Sequence, residues 1–471
     1  VTSLLFQPVE GDGPYYVRLA DAIAVAITEG KIAAGQKLPP QRNLAFDLGV
    51  TIGTIGRTYT LLHQRGLVSG EVGRGTYVAP PKSDPVRGSG QAPSFEFSGT
   101  RFHEPPEDKL RLDTTAAPDI GQSSIVGEVL AAITRDQPVA VSSYSRVHPQ
   151  HWLDAGVSWL SRSAWRPTAD TIVPTLGAHA GAMAVIAAMS SPGDAVAFEA
   201  LTYSQFARSA RLIGREILPV GLDEEGMVPD EFERACVERR LKLAFLMPSA
   251  HNPTLAIMSE ERRRALADIA RRHDVWLIED DIYGSLIGGE TPLLASFAPE
   301  RTFVVGSLSK AVAAGIRCGW VACPENFSSR IKITHKMITG GLSFVLAEAG
   351  ARLVFSGAAE DIRDRVRQEI VAREAIARRA LDGYDLVSRP TLPYLWLKLP
   401  GEWLSGTFKN AALQQGMLVD DEDEFKAGRI ERVYHRARIG FSSATREEMG
   451  NALFHLRRII DAGVVGYDAE A

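Results

Sequence analysis

The chain has 471 residues, 45% of them hydrophobic and 23% charged, and a net charge of −5. That length exceeds what one core ordinarily encloses, so two or three domains are expected. A slightly acidic balance excludes a protein-wide basic field, and any contact with nucleic acid has to be local. In chain order, PYYVRLADAIAVAITEG at 14–30 has apolar residues at helical spacing and stops at Gly30. PQRNLAFDLG makes a second short helix ended by Gly49, and TIGTIGRTYTLLHQRG a third, with Thr51 as N-cap and Gly66 past its end. LVSGEVGRGTYVAP then alternates around GRG as a two-stranded hairpin does. Residues 1–79 thus predict a winged helix-turn-helix, whose second helix of the pair enters a DNA major groove. Its seven Lys/Arg against six Asp/Glu over 1–80 support this only in part, since a helical domain for protein contacts could carry the same balance.

The motifs L-P-P-Q-R-N-L-A, G-V-T, L-x-x-x-G-L-V and G-R-G-T-Y-V across 14–79 resemble the GntR-family DNA-binding domain. The resemblance implies that Arg42 holds a phosphate, that the helix 52–65 reads bases, and that the wing approaches the DNA backbone. It makes Arg42, Thr51, Thr54, Arg57 and Arg74 the candidate contacts to a double-stranded operator. The family often has Arg and then Thr or Ser where this chain has Ile52 and Gly53, which changes the set of base-reading groups.

Residues 80–107 crowd Pro, Gly and Ser and lose hydrophobic periodicity, so they read as a linker. Extended at about 3.1 Å per residue, it would reach roughly 80 Å. From 108 to 471, strands such as AVAFE, LAFLM, VWLIED and RTFVVGS alternate with helices such as SEERRRALADIARRH. This predicts a parallel α/β sheet with helices on both faces, followed by a small α+β domain over about 355–471 with YLWLKLP and RARIGFSS as its clearest strands. No G-x-G-x-x-G follows a strand. Cys236, Cys318 and Cys323 have no metal-ligand spacing and form a poor disulfide framework, so no metal is expected and a reducing cytoplasm fits. The N-terminus has no basic segment of a secretory leader. The longest apolar helix candidate, 180–189, is too short for a bilayer, so no membrane partner is expected.

Ligands of open α/β sheets bind beyond the carboxyl ends of the strands. Those ends carry Asp280 and Tyr283, His251 and Asn252, Tyr203, and Ser307, Ser309 and Lys310 in SLSKAVAAGIRCGW, with Arg317 following; Gly177, Ala178 and His179 open a helix. A lysine in a partly apolar stretch has a lowered pKa and forms a Schiff base with an aldehyde. Pyridoxal 5'-phosphate presents an aldehyde, a phosphate, a ring nitrogen and a phenolic oxygen. Lys310 suits the aldehyde and Asp280 the ring nitrogen. Asn252 and Tyr283 suit the phenolic oxygen, and Tyr203 can stack on the ring. Ser307, Ser309, Arg317 and the amides of Gly177, Ala178 and His179 suit the phosphate. Each signal alone is weak, since loop lysines and strand-end aspartates are common; their joint occurrence is specific.

The motifs T-L-G-A-H-A-G, A-H-N-P-T, E-D-D-I-Y-G, S-L-S-K-A-V-A-A-G-I-R-C-G-W and A-R-I-G-F resemble fold-type I aminotransferases of the kynurenine and 2-aminoadipate branch. That resemblance implies that Lys310 is the catalytic amine, that Arg438 with Asn252 clamps an amino-acid carboxylate, and that Tyr144 reaches the phosphate across a dimer interface. Leu255 stands where the family usually has Gly after N-P-T, and Ala-Ala-Gly where it often has Pro before the Gly. A GntR-like reader, a linker and this body together resemble the MocR-type regulators. The expectation is a cytoplasmic homodimer with swapped DNA-binding arms that senses a small amine or amino acid. The alternative is a PLP-dependent aminotransferase with an accessory arm.

Overall fold

A computed structural model describes residues 14–78 and 108–468, with breaks at 30, 34–35, 65–66, 72–74, 79–107, 146, 163–164, 289–290, 402, 429 and 431. The chain divides into two compact units, Val1–Glu96 and Phe97–Ala471. The predicted wing residue Arg74, the helix-end residues Arg65 and Gly66, and the linker lie outside the described residues.

In the first unit α1 (Tyr15–Thr28), α2 (Gln41–Leu48) and α3 (Ile52–Gln64) precede an antiparallel hairpin of β1 (Val68–Glu71) and β2 (Gly75–Val78). Leu19 and Ile23 of α1, Leu44 of α2 and Ile55, Tyr59 and Leu62 of α3 form its core, each at one helical face as the periodicity predicts. Gly49 ends α2 at φ 65°, a left-handed C-cap that a side chain would strain. Thr51 opens α3 by accepting from the Thr54 amide at 3.2 Å. The buried hydroxyls of this unit stay satisfied: Thr58 donates to the Tyr16 carbonyl and Tyr59 to that of Pro39.

The second unit is built on a seven-stranded sheet of β3 (Ile172–Thr175), β4 (Ala195–Glu199), β5 (Glu216–Val220), β6 (Leu243–Leu246), β7 (Trp276–Asp280), β8 (Thr302–Ser307) and β9 (Gly319–Ala322), in the order β3-β9-β8-β7-β6-β4-β5. The five strands from β5 to β8 are parallel, while β9 runs antiparallel to both neighbours. Helices cover both faces; α4 (Gly177–Met189) is buried along most of its length, which is why its sequence is apolar all round. A second sheet joins β10 (Leu386–Ser388), β11 (Tyr394–Lys398), β12 (Asp420–Asp421) and β13 (Arg436–Gly440) in the order β10-β11-β13-β12. The segment Leu110–Arg111 pairs in parallel with Met417–Leu418, and the Gly440 amide donates to the Leu112 carbonyl at 2.6 Å.

Candidate functional site

The carboxyl ends of β7 and β8 lie side by side, with Asp280 and Val305 in register. This register puts the last acid of one apolar strand beside the serine and lysine that follow the next. Side chains alternate across the sheet, so Glu279 faces away from Asp280. Glu279 accepts from the Leu294 and Ala295 amides and from Arg263, and so fixes the end of β7. Asp280 is 2% exposed. Its Oδ1 accepts from the Ile282 amide at 3.1 Å, while its buried Oδ2 has no hydrogen-bond partner among the described residues. Burial pushes its carboxyl up to about 7, against the Ile282 amide and the charge of Lys310.

Lys310 Nζ donates to Thr115 Oγ1 at 3.0 Å and lies 5.8 Å from the centre of the Tyr283 ring. The Tyr283 hydroxyl donates to the same Thr115 oxygen at 2.8 Å. Burial pushes that phenol up to about 12. Thr115 was not among the residues read from the sequence, where nothing in DTTAAP distinguishes it. Asn252 is buried, and its Oδ1 accepts from Arg438 Nη1 at 2.9 Å. Arg438, reaching in from β13, also donates to the Asp113 carbonyl at 2.7 Å and is ion-paired with Asp420. Tyr203 is half-buried, bonded to Gln205 and edge-on to Phe206.

At the other end, Gly177 starts α4 at φ 79°. A β-carbon at Gly177 would lie 3.5 Å from the Arg317 guanidinium, so the arginine lies against the start of α4. Arg317 is itself exposed and left-handed at φ 49°. The Ser309 amide donates to Ser307 Oγ at 3.4 Å. Ala178 is buried at the helix start. His179 stacks on Phe206 at 4.8 Å and contacts Ser209 through Nε2, with its pKa lowered by burial and then by Arg317. His335, also missed in the sequence, accepts at Nε2 from the Leu176 amide at 3.2 Å. Burial holds that imidazole down to about 4, so it stays the neutral acceptor the turn requires. His251 bonds the Leu201 carbonyl and Thr254, which makes it an orienting group.

Tyr144 is 93% exposed and is not brought to this cluster within the chain. In the first unit Arg42, Thr51 and Arg57 are exposed and Thr54 is half-buried. The Thr51 hydroxyl is committed to the α3 cap, and the Arg57 guanidinium lies 6.0 Å from the Tyr16 ring centre. No group of His, Cys, Asp and Glu able to hold a metal occurs among the described residues.

Residues 108–456 match the family described as aminotransferase class I and II. Residues 15–78 match bacterial regulatory proteins of the gntR family. The chain is 28% identical over 456 residues to YdeF of Bacillus subtilis (strain 168), an uncharacterized HTH-type transcriptional regulator, with 96% of each chain covered. It is 26% identical over 454 residues to MocR of Rhizobium meliloti, a probable rhizopine catabolism regulatory protein, covering 87% of this chain and 90% of that one. Kynurenine aminotransferase of Pyrococcus horikoshii superposes with a TM-score of 0.68 at 21% identity, over 78% of this chain and 97% of that one, a likeness of fold.

Proposed function

The chain belongs to the aminotransferase class I and II family and carries a gntR-family domain ahead of that body, and from this pairing we propose a MocR-type DNA-binding transcriptional regulator that holds pyridoxal 5'-phosphate and responds to a small amino compound. The observation that carries the cofactor reading is the orphaned Asp280 Oδ2. A buried acceptor without a donor is costly, and a protonated ring nitrogen is the donor it lacks. The start of α4 supports the same reading, since Gly177 turns the chain into the helix at φ 79° with the Arg317 guanidinium in contact range beside it, a cation at the amide end where a phosphate binds.

Pyridoxal phosphate, when bound, supplies an aldehyde that condenses with primary amines and a ring that draws electrons from them. Lys310 supplies the amine that anchors it, and Asp280 holds the proton at the ring nitrogen. Asn252 Nδ2 would donate toward the phenolic oxygen, as would the Tyr283 hydroxyl once turned from Thr115, and Tyr203 would flank the ring. The amides of Gly177, Ala178 and His179 hold the phosphate at the positive end of α4, with Ser307, Ser309 and Arg317. Thr115 orients Lys310 and Tyr283 together.

On the DNA side, Arg42 contacts a phosphate, and Thr54 and Arg57 face the groove from α3, with Thr51 holding its first turn. Arg74 is proposed as a wing contact from sequence alone. We infer a homodimer, supported by the exposed Tyr144 together with the exposed apolar Val139 and Val147. Tyr144 would serve the partner's phosphate. A DNA partner supports a cytoplasmic location; among the described residues no helix is long and apolar enough to cross a membrane.

Purified protein should be yellow, and borohydride should fix that colour to the peptide containing Lys310. Lys310→Ala should lose the visible band and keep its elution volume; identical visible spectra for the two proteins would refute the assignment. The intact set of cofactor residues also favours a second reading, a transaminase with an accessory arm. Sustained turnover between an amino donor and a 2-oxo acid, without binding to upstream DNA, selects that reading.

A further inference from the structure

Resting on the cofactor reading above, we propose that Asp420 sets the ligand class: it holds Arg438 in place of a ligand carboxylate, so the site takes primary amines without an adjacent carboxylate in preference to 2-amino acids. Arg438 and Asp420 are each 1% exposed. They stand directly opposite one another on β13 and β12. The pairing is therefore set by the sheet ladder and not by a wandering surface side chain.

The donors of Arg438 can be assigned one by one. Nη1 donates to Asn252 Oδ1 at 2.9 Å. Nη2 gives one hydrogen to the Asp113 carbonyl at 2.7 Å and the other to Asp420 Oδ2. Nε is buried and has no hydrogen-bond partner among the described residues. A carboxylate engages a guanidinium bidentately through one of two forks, Nη1 with Nη2 or Nε with Nη2. Both forks pass through Nη2, and both its hydrogens are committed. The faces of the guanidinium are flanked by the rings of Phe425 at 4.8 Å and Tyr394 at 5.5 Å.

An incoming carboxylate thus has to displace Asp420 from its cation and leave two carboxylates in one buried space. The nearby acids do not change this balance, because Lys409 holds Asp421 at 3.3 Å and Glu424 at 3.0 Å, and Arg208 brings a second cation 3.7 Å from Glu424. An amine without a carboxylate meets a closed, electrically neutral pair and needs nothing from Arg438.

L-Alanine and ethylamine differ only by the carboxylate, so they form the test pair. Visible-spectrum titration of the wild-type holoprotein should show ethylamine saturating at an equal or lower concentration than L-alanine. Asp420→Asn keeps an acceptor for Nη2 but removes the charge. It should tighten L-alanine on the order of tenfold and leave ethylamine unchanged within about twofold. A second arm needs no cofactor chemistry: calorimetric titration with propionate should give no binding to wild type and measurable binding to Asp420→Asn. Wild type binding L-alanine about tenfold tighter than ethylamine overturns the proposal, and that arm stands even where the variant fails to fold. Propionate binding alike to wild type and Asp420→Asn overturns it as well. Colourless protein that borohydride does not label at Lys310 overturns the cofactor reading instead, and the propionate arm still decides the role of Asp420.

Discussion

Asp280 has an ordinary carboxyl value of 3.8 and is pushed up to about 7 by burial. Between those two pH values the unfolded chain has released this proton while the native state retains it, so stability falls as pH rises. The loss is absent below about 4 and complete above about 7, and the shift corresponds to a few kcal/mol, in order of magnitude. In cofactor-free protein, Asp280→Asn should therefore flatten the decline of thermal midpoint across that window relative to wild type, and saturating pyridoxal phosphate should flatten it in wild type. Equal slopes for the two proteins would mean that Asp280 is not the buried carboxyl that sets the decline. Leu255 shows how two residue-scale effects are weighed. It lies at φ 61° yet is fully buried. Glycine there would relieve about 1–2 kcal/mol of backbone cost. Losing the leucine side chain from a packed site costs about 2–5 kcal/mol. Packing wins, which accounts for a leucine at a left-handed position. Lys310 and Asp280 stand out in the sequence because polar groups at or just beyond the end of an apolar strand run are conspicuous. Thr115 was not, because it meets Lys310 across 195 intervening positions and carries no local signal. Asp420 was hidden for a related reason: its partner is chosen by antiparallel register, which composition does not reveal.

At the scale of elements, the helices and strands followed their periodicity closely, and the parallel sheet was legible from apolar runs without alternation. Harder to foresee was the segment 110–115. It pairs with Met417–Leu418, gives its Asp113 carbonyl to Arg438 and sets Thr115 against Lys310. Gly440 allows that close passage, since a β-carbon there would lie 2.2 Å from the Thr114 carbonyl oxygen. Backbone cannot yield as a flexible side chain can. Gly440→Ala should lower stability by about 1–3 kcal/mol and loosen Thr115 from Lys310. The readouts are a lower thermal midpoint and a weakened hold on pyridoxal phosphate. Unchanged values for both would mean that the segment does not need its present path.

For the whole molecule, a near-neutral DNA-reading unit attached to an acidic chain implies that affinity rests on a few phosphate contacts. Arg42→Ala should weaken binding to all sequences alike and reduce the salt slope by about one. A gel-shift series with altered site preference at unchanged affinity would contradict the phosphate role. A ligand alters DNA binding only through unequal affinity for two arrangements of the protein, and an element that lines the ligand pocket and leads by the chain to the gntR-family domain is suited to carry that difference. Residues 110–115 have the covalent half of that property, for the chain runs from them back through 80–107 to the gntR-family match at 15–78. When Lys310 turns toward another bond, Thr115 gives up a hydrogen-bond donor at the root of the tether. In the regulator proposed above, a ligand response would start on the same stretch of polypeptide that leads back to the gntR-family domain.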